Sequence, residues 1–330
     1  MDIPHDIEEV ARRFQDVRDE RAFTDFAGRA VAFQRDRNPV YARFHPYTYL
    51  PVRAFKDAAV ATFPPADAEA VFGSSGTGDV VRRSRHFVYR LDVYRRAVLT
   101  QFRHVFGSGP FTFLFLLPVT ERSGGDASSL LEMARILAAD VGSEESGYLL
   151  DEDFDARSAV RRSNRSGQRT IVFGTAFGLL DFVDRGKAAA LELPADTLVI
   201  ETGGMKTHRR EIRRADLHAL LAEGFGLERN QMRSEYGMCE LMSQFYAGPD
   251  GLFRAPPWVR FRVFDPDAVE TVRKDGEPGA LAVFDLANVF SVSAVLTEDR
   301  AVRRGEGFEL LGRLDGAELR GCNLLLEEVL

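Results

Sequence analysis

Short, largely apolar runs alternate with stretches of helical periodicity through the middle of this sequence, and that alternation limits the possible folds more than any other feature. "FTFLFLLP" is closed by proline, "ASSLLEMARILAADV" spaces its apolar residues for one helical face, "RTIVFGTAFGLLDFV" reads as a strand turning into a helix, and "DTLVIETGG" is a strand stopped by paired glycines. A strand that is apolar at every position needs cover on both faces, which parallel sheets obtain from the helices that connect their strands. The expected fold class is therefore α/β. From Trp258 onward the pattern shifts to "WVRFRVFD", "GALAVFDL", "VSAVLTED" and "GFELLGRL", separated by the turn sequences "KDGEPG" and "RRGEG". These predict a small antiparallel β subdomain.

Ahead of the alternating region, residues 5–33 carry Ile7, Val10, Ala11 and Phe14 on one face and predict a helix that acts as a cap. Residues 86–106 predict a second helix by the same spacing. The 330 residues are enough for about two domains. We expect an α/β core with its helical cap over 1–255 and a β-rich subdomain with a C-terminal tail over 256–330.

The formal net charge of −7 opposes a polyanion, so nucleic acid is not an expected partner. The acidic start "MDIPHDIEEVARRFQDV" has no basic, apolar signal pattern, and no run approaches the ~20 apolar residues a membrane span needs. A cytoplasmic location is expected. Cys239 and Cys322 are too few for a disulfide scaffold and lack zinc-site spacing.

The stretch "AVFGSSGTGDV", residues 70–80, concentrates glycine and hydroxyl side chains between apolar flanks. Gly73 and Gly78 have Walker spacing, but Asp79 stands where that motif requires lysine, and its charge would oppose a phosphate. A dinucleotide fingerprint fails as well, because Val81 occupies the third glycine position. Serine and threonine hydroxyls with backbone N–H groups can still cradle an anion; a plain serine–glycine turn has the same composition.

Four segments recur in order: "SSGTG" at 74–78, "ETGGMK" at 201–206, "SEYGMCEL" at 234–241, and "LTEDRAV" with "LLGRLDG" across 296–316. Together they resemble the adenylate-forming superfamily, which activates carboxylates as acyl-adenylates. More narrowly, "LPVRAFK" at 50–56, "ETGGMK", "SEYGMCELMSQFY" and the terminal "ELRGC" are similar to the acyl-protein synthetase family, best known from the fatty acid reductase of bacterial bioluminescence. The resemblance runs from about Leu50 to the C terminus. It implies the large N-terminal α/β domain of an adenylate-forming enzyme, with parallel sheets flanked by helices.

Roles follow from the resemblance residue by residue. It implies that Ser74, Ser75, Gly76 and Thr77 contact the β- and γ-phosphates of ATP, although Gly78 and Asp79 depart from the usual continuation of that loop. Gly203 and Gly204 would form the adenine pocket, where two glycines let backbone lie against a planar ring. Tyr236 would stack on adenine, and Glu240 would bind Mg2+, a hard cation suited to a carboxylate. Asp299 would hold the ribose hydroxyls and Arg313 would lie beside a hinge.

Most of the superfamily continues into a lid domain of about 100 residues. This sequence stops fourteen residues after Gly316, and a lid is expected to be absent. Cys322 matches the thiol that receives the acyl group and passes it to a reductase partner. The expected activity is thus an ATP- and magnesium-dependent ligase acting on a fatty or other carboxylic acid. Coenzyme A, an acyl carrier protein or an amine is the alternative acceptor, and a non-catalytic subunit that organises a reductase complex is the alternative from a different class.

Overall fold

The apolar runs come together as neighbouring strands of one twelve-stranded sheet among the described residues. The computed structural model describes residues 2–74, 83–118, 126–203, 212–268 and 271–314. Gly147–Tyr148, Phe111–Leu116, Arg169–Thr175, Leu198–Thr202 and Met232–Tyr236 lie side by side in that order, every neighbouring pair parallel. Their side chains alternate between the two faces, so Phe113 and Phe115 enter one core while Leu114 and Leu116 enter the other. Helices Leu91–Phe106 and Ser129–Val141 contribute Phe102, Met133 and Leu137 to the first core; Ala176–Asp184 and Arg214–Phe225 contribute Leu179, Leu180 and Leu221 to the second. Each fully buried phenylalanine stabilises the fold by about 1.5–3 kcal/mol. The alternating pattern required this cover on both faces.

Beyond Met232–Tyr236 the pairing becomes antiparallel. Phe245–Ala247 and Phe253–Arg254 link it to Gly307–Arg313, then Ala294–Arg304, Pro278–Asp285 and Val259–Phe264. The antiparallel strands expected after Trp258 thus form, and backbone hydrogen bonds join them to the parallel strands. Among the described residues no helix is long and apolar enough to cross a membrane.

Two sequence expectations need correction. The helix expected over 5–33 is two helices, His5–Arg13 and Glu20–Arg37, because Asp19 adopts extended backbone and its side chain accepts a hydrogen bond from the Ala22 amide at 2.8 Å, capping the second one. Residues 86–88 are not helical either: Arg85–Val88 is a strand paired antiparallel with Ala70–Gly73, and the helix begins at Leu91. Pairing with a partner strand here overrides the local spacing.

Buried polar side chains, Gln34 foremost, join the N-terminal helices to the antiparallel half. Gln34 donates from Nε2 to the carbonyls of Asn288 and Val289 at 3.1 and 2.9 Å and to Ser293 Oγ at 3.0 Å, while its Oε1 accepts from the Ser293 amide at 3.1 Å. Asn38 adds a bond to the Ser291 carbonyl at 3.1 Å. The 288–293 segment therefore depends on side chains more than 250 positions away in sequence.

Replacing Gln34 by leucine keeps the volume and strands these buried partners, so Gln34→Leu should lower unfolding stability by about 2–4 kcal/mol. Denaturant unfolding followed by the fluorescence of Trp258, the one tryptophan, measures it; an unshifted midpoint would contradict this account of the cap.

Candidate active site

Three of the four sequence motifs converge at the carboxyl ends of the parallel strands Leu198–Thr202 and Met232–Tyr236. Open α/β sheets present ligand sites at such ends. The two strands pair in register Glu201↔Ser234 and Thr202↔Glu235. On one face Thr202 Oγ1 donates to Glu235 Oε2; on the other Ser234 Oγ donates to Glu201 Oε1. His218 Nε2 and Arg214 Nε lie 3.4 and 3.5 Å from that Glu201 oxygen. The strand ends are therefore pinned to each other by side chains on both faces.

Gly203 follows at φ 76°, a left-handed conformation that glycine adopts without strain. At Gly237 a Cβ would lie 2.7 Å from Glu235 Oε1, so a larger residue would displace the end of that side chain. Glycine there lets the turn after Tyr236 fold over the Glu235 side chain.

Tyr236 and Asp299 meet although 63 positions separate them: the phenol donates to Asp299 Oδ2 at 2.8 Å. The tyrosine ring is 8% exposed and packs against Phe245, Phe253 and Phe308. Burial, then the Asp299 carboxylate, push its phenol well above the usual tyrosine range. Arg313 sits opposite Asp299 in the strand register, with Nε 3.5 Å from Asp299 Oδ1 and a terminal nitrogen 3.4 Å from Glu298 Oε2. Asp299, Arg313 and Tyr236 thus form one connected group.

Glu240 is buried, and its backbone is held from two sides. His86 Nδ1 lies 2.7 Å from the Cys239 carbonyl, and Asn288 Nδ2 donates to the Glu240 carbonyl at 2.9 Å. Burial pulls the His86 imidazole down to about 4, against the opposing pull of the Cys239 carbonyl and the adjacent Asn288. Cys239 is buried, and desolvation with the neighbouring Glu240 pushes its thiol upward, which suits a packing side chain rather than a nucleophile.

Ser74 closes the base of the glycine hairpin: its amide donates to the Ser84 carbonyl at 3.1 Å and its Oγ accepts from the Ser84 amide at 3.2 Å. The same hairpin carries His86, so its base is tied to the Tyr236–Glu240 turn. Ser75, Gly76, Thr77, Gly204 and Cys322 lie outside the described residues. Reading the sequence alone missed His86, Asn288, Thr202 and Glu235.

The sequence model of the acyl-protein synthetase family LuxE matches residues 144–330. This chain belongs to that family. Two long-chain-fatty-acid–luciferin-component ligases are similar to it. That of Aliivibrio fischeri is 29% identical over 143 residues, 40% of this chain and 38% of that protein. That of Vibrio harveyi is 26% identical over 188 residues, 53% of this chain and 50% of that protein. The chain spans half or less of the length of these curated relatives.

Among solved structures, 2-hydroxyisobutyryl-CoA ligase in its postadenylation state matches with a TM-score of 0.61 at 13% identity, covering 90% of this chain and 68% of that one. ATP-bound MatB from Rhodopseudomonas palustris matches at 0.53 and 18% identity, covering 76% and 49%. The acyl-protein synthetase chain therefore has the adenylate-forming fold. The span matched by the family contains the "ETGG", "SEYGMCEL" and "LTED" segments, and the glycine hairpin precedes it.

Glu235 carries a pH signature. Burial pushes its carboxyl from 4.5 up to about 7, the Thr202 hydroxyl opposing and the Glu201 charge adding to the rise. The folded chain thus binds this proton more tightly than the unfolded chain. The stabilisation is full at low pH and is lost as pH rises through about 7, a contribution on the order of 3 kcal/mol. Glu235→Gln, which cannot ionise, should lose less stability than wild type between about pH 5 and pH 8. Unfolding titrations across that range check it, and parallel curves would contradict it.

Proposed function

We propose that this acyl-protein synthetase activates a carboxylic acid with ATP and passes the acyl group to a thiol. In the first step a carboxylate oxygen attacks the α-phosphorus; a new P–O bond forms, the bond to the β-phosphate bridge breaks, and pyrophosphate leaves with its electron pair. In the second, a thiolate attacks the acyl carbonyl and AMP leaves. Family membership supports this reaction class, and the Tyr236–Asp299 hydrogen bond is the observation that carries the site. It joins two motifs distant in sequence at one end of the sheet.

Within that site, Asp299 has the acceptor capacity for two ribose hydroxyls. Gly203 and Gly204 are assigned to the adenine pocket, and Tyr236 to stacking on the base. Ser74, Ser75, Gly76 and Thr77 are the proposed phosphate contacts.

Glu240 is the proposed Mg2+ ligand. No cluster of three or more His, Cys, Asp or Glu that could cage a metal occurs among the described residues. Nor does a cation pair with the Glu240 carboxylate among them. A single carboxylate of that kind fits Mg2+, which takes its other ligands from substrate phosphates and water. Bound there, the ion supplies charge neutralisation on the phosphates; the protein's part is to hold the carboxylate and the nucleotide in a fixed relation.

The acyl substrate is proposed to be a long-chain or similar acid, by analogy with the ligases it resembles, and the acceptor to be Cys322, followed by an acyl reductase partner. Carboxylate-dependent exchange of pyrophosphate into ATP tests the first step. Exchange should occur with at least one acid in a chain-length series and fall about 100-fold or more in Glu240→Gln. Absence of exchange with every acid would contradict the proposal. Cys322→Ala should retain exchange and lose covalent acyl label; label that persists, or that requires added coenzyme A or carrier protein, points to another acceptor.

A further inference from the structure

The loop from Gly237 to Gln244 carries Glu240, and its residues 239–244 are buried. A buried carbonyl needs a donor, and in most loops a neighbouring backbone amide supplies it. Here two consecutive carbonyls, those of Cys239 and Glu240, are met instead by side chains 153 and 48 positions away. They belong to the two peptide planes on either side of the Glu240 Cα. Because each peptide is planar, holding both planes leaves the Cα–Cβ bond one direction.

We propose that His86 and Asn288 are the positioning residues that aim the Glu240 carboxylate. The inference rests on the reading of Glu240 as the group that meets metal-bound nucleotide. A carbonyl can only accept, so His86 Nδ1 must carry hydrogen, and its tautomer is set by that contact. The imidazole is itself immobilised: it is 1% exposed, Phe55 meets it edge-on at 5.6 Å, and its strand pairs His86 with Phe72.

Asn288 is fixed from the other side. It ends the short turn Leu286–Asn288, which Asp285 caps by accepting from the Ala287 amide at 3.0 Å. Its own carbonyl accepts from Gln34 Nε2 at 3.1 Å. One support thus comes from the glycine hairpin and the other from the antiparallel half of the sheet. The arrangement ties the hairpin proposed to hold phosphate to the residue proposed to hold the metal.

The test uses the full chain with Mn2+ and ATP as the probe, bound metal being read by electron paramagnetic resonance, and metal-free ATP binding read by calorimetry in the presence of a chelator. His86→Leu removes the donor, His86→Asn restores an N–H near the Nδ1 position, and Asn288→Ser withdraws the second donor. His86→Leu and Asn288→Ser should each weaken Mn2+–ATP binding about 10-fold while metal-free ATP binding stays within about twofold. His86→Asn should recover affinity to within about threefold of wild type.

Wild-type affinity in both disrupting variants overturns the positioning role and leaves the ligase reading intact. Equal loss of metal-free ATP, or no recovery with asparagine, assigns His86 to packing alone and also overturns it. If His86→Leu does not fold, His86→Gln, whose amide matches the Nε2 position, takes its place with the same expected loss. A wild-type chain that binds neither form of ATP removes the function on which the inference stands.

Discussion

A carboxylate proposed to work at a fixed point must be carried by backbone that cannot move, and this fold buries residues 239–244 and pairs their polar groups both within the loop and from outside it. Leu241 N bonds to the Met238 carbonyl at 3.1 Å, and Asp285 accepts from the Met242 amide at 3.0 Å and from Ser243 Oγ at 2.8 Å. Trp258 Nε1 donates to the same Ser243 oxygen at 2.8 Å. Buried polar groups left unpaired cost about 1–3 kcal/mol each, so losing one partner destabilises the others' geometry as well. Burial pushes Asp285 up to about 6, partly offset by these donors, which places its proton loss near neutrality.

The N-terminal helices acquire a purpose in this light. They contribute no candidate site residue. Through Gln34 and Asn38 they hold the 288–293 segment, and through Asn288 that segment holds Glu240. Phe14 adds an edge contact to Trp258 at 5.4 Å, so the cap also braces the tryptophan that braces Ser243. Stability and site geometry share these contacts, and a change in the cap should therefore reach the site.

The α/β architecture was legible because runs such as Phe113–Leu116 and Leu198–Ile200 are apolar at consecutive positions, a pattern that cover on both faces explains. Tyr236, Glu240, Asp299 and Arg313 were legible as motif members, and three of them are joined by a hydrogen bond and an ion pair on Asp299. His86 was not, since Phe87, Val88 and Leu91 continue the apolar spacing of the following helix and nothing local marks the strand. The Thr202–Glu235 bond was equally hidden. It depends on the register of two strands 33 positions apart, which side-chain alternation within either strand leaves undetermined. Local periodicity thus conveyed the layers, while the contacts that aim side chains arise only once the strands pair.

The most direct measurement of the central claim is a crystal structure with Mg2+ and a non-hydrolysable ATP analogue. The account predicts adenine between the Gly203 turn and Tyr236, ribose hydroxyls on Asp299, and the metal on the Glu240 carboxylate. Nucleotide bound elsewhere, or bound here with Glu240 turned away from the metal, would contradict it.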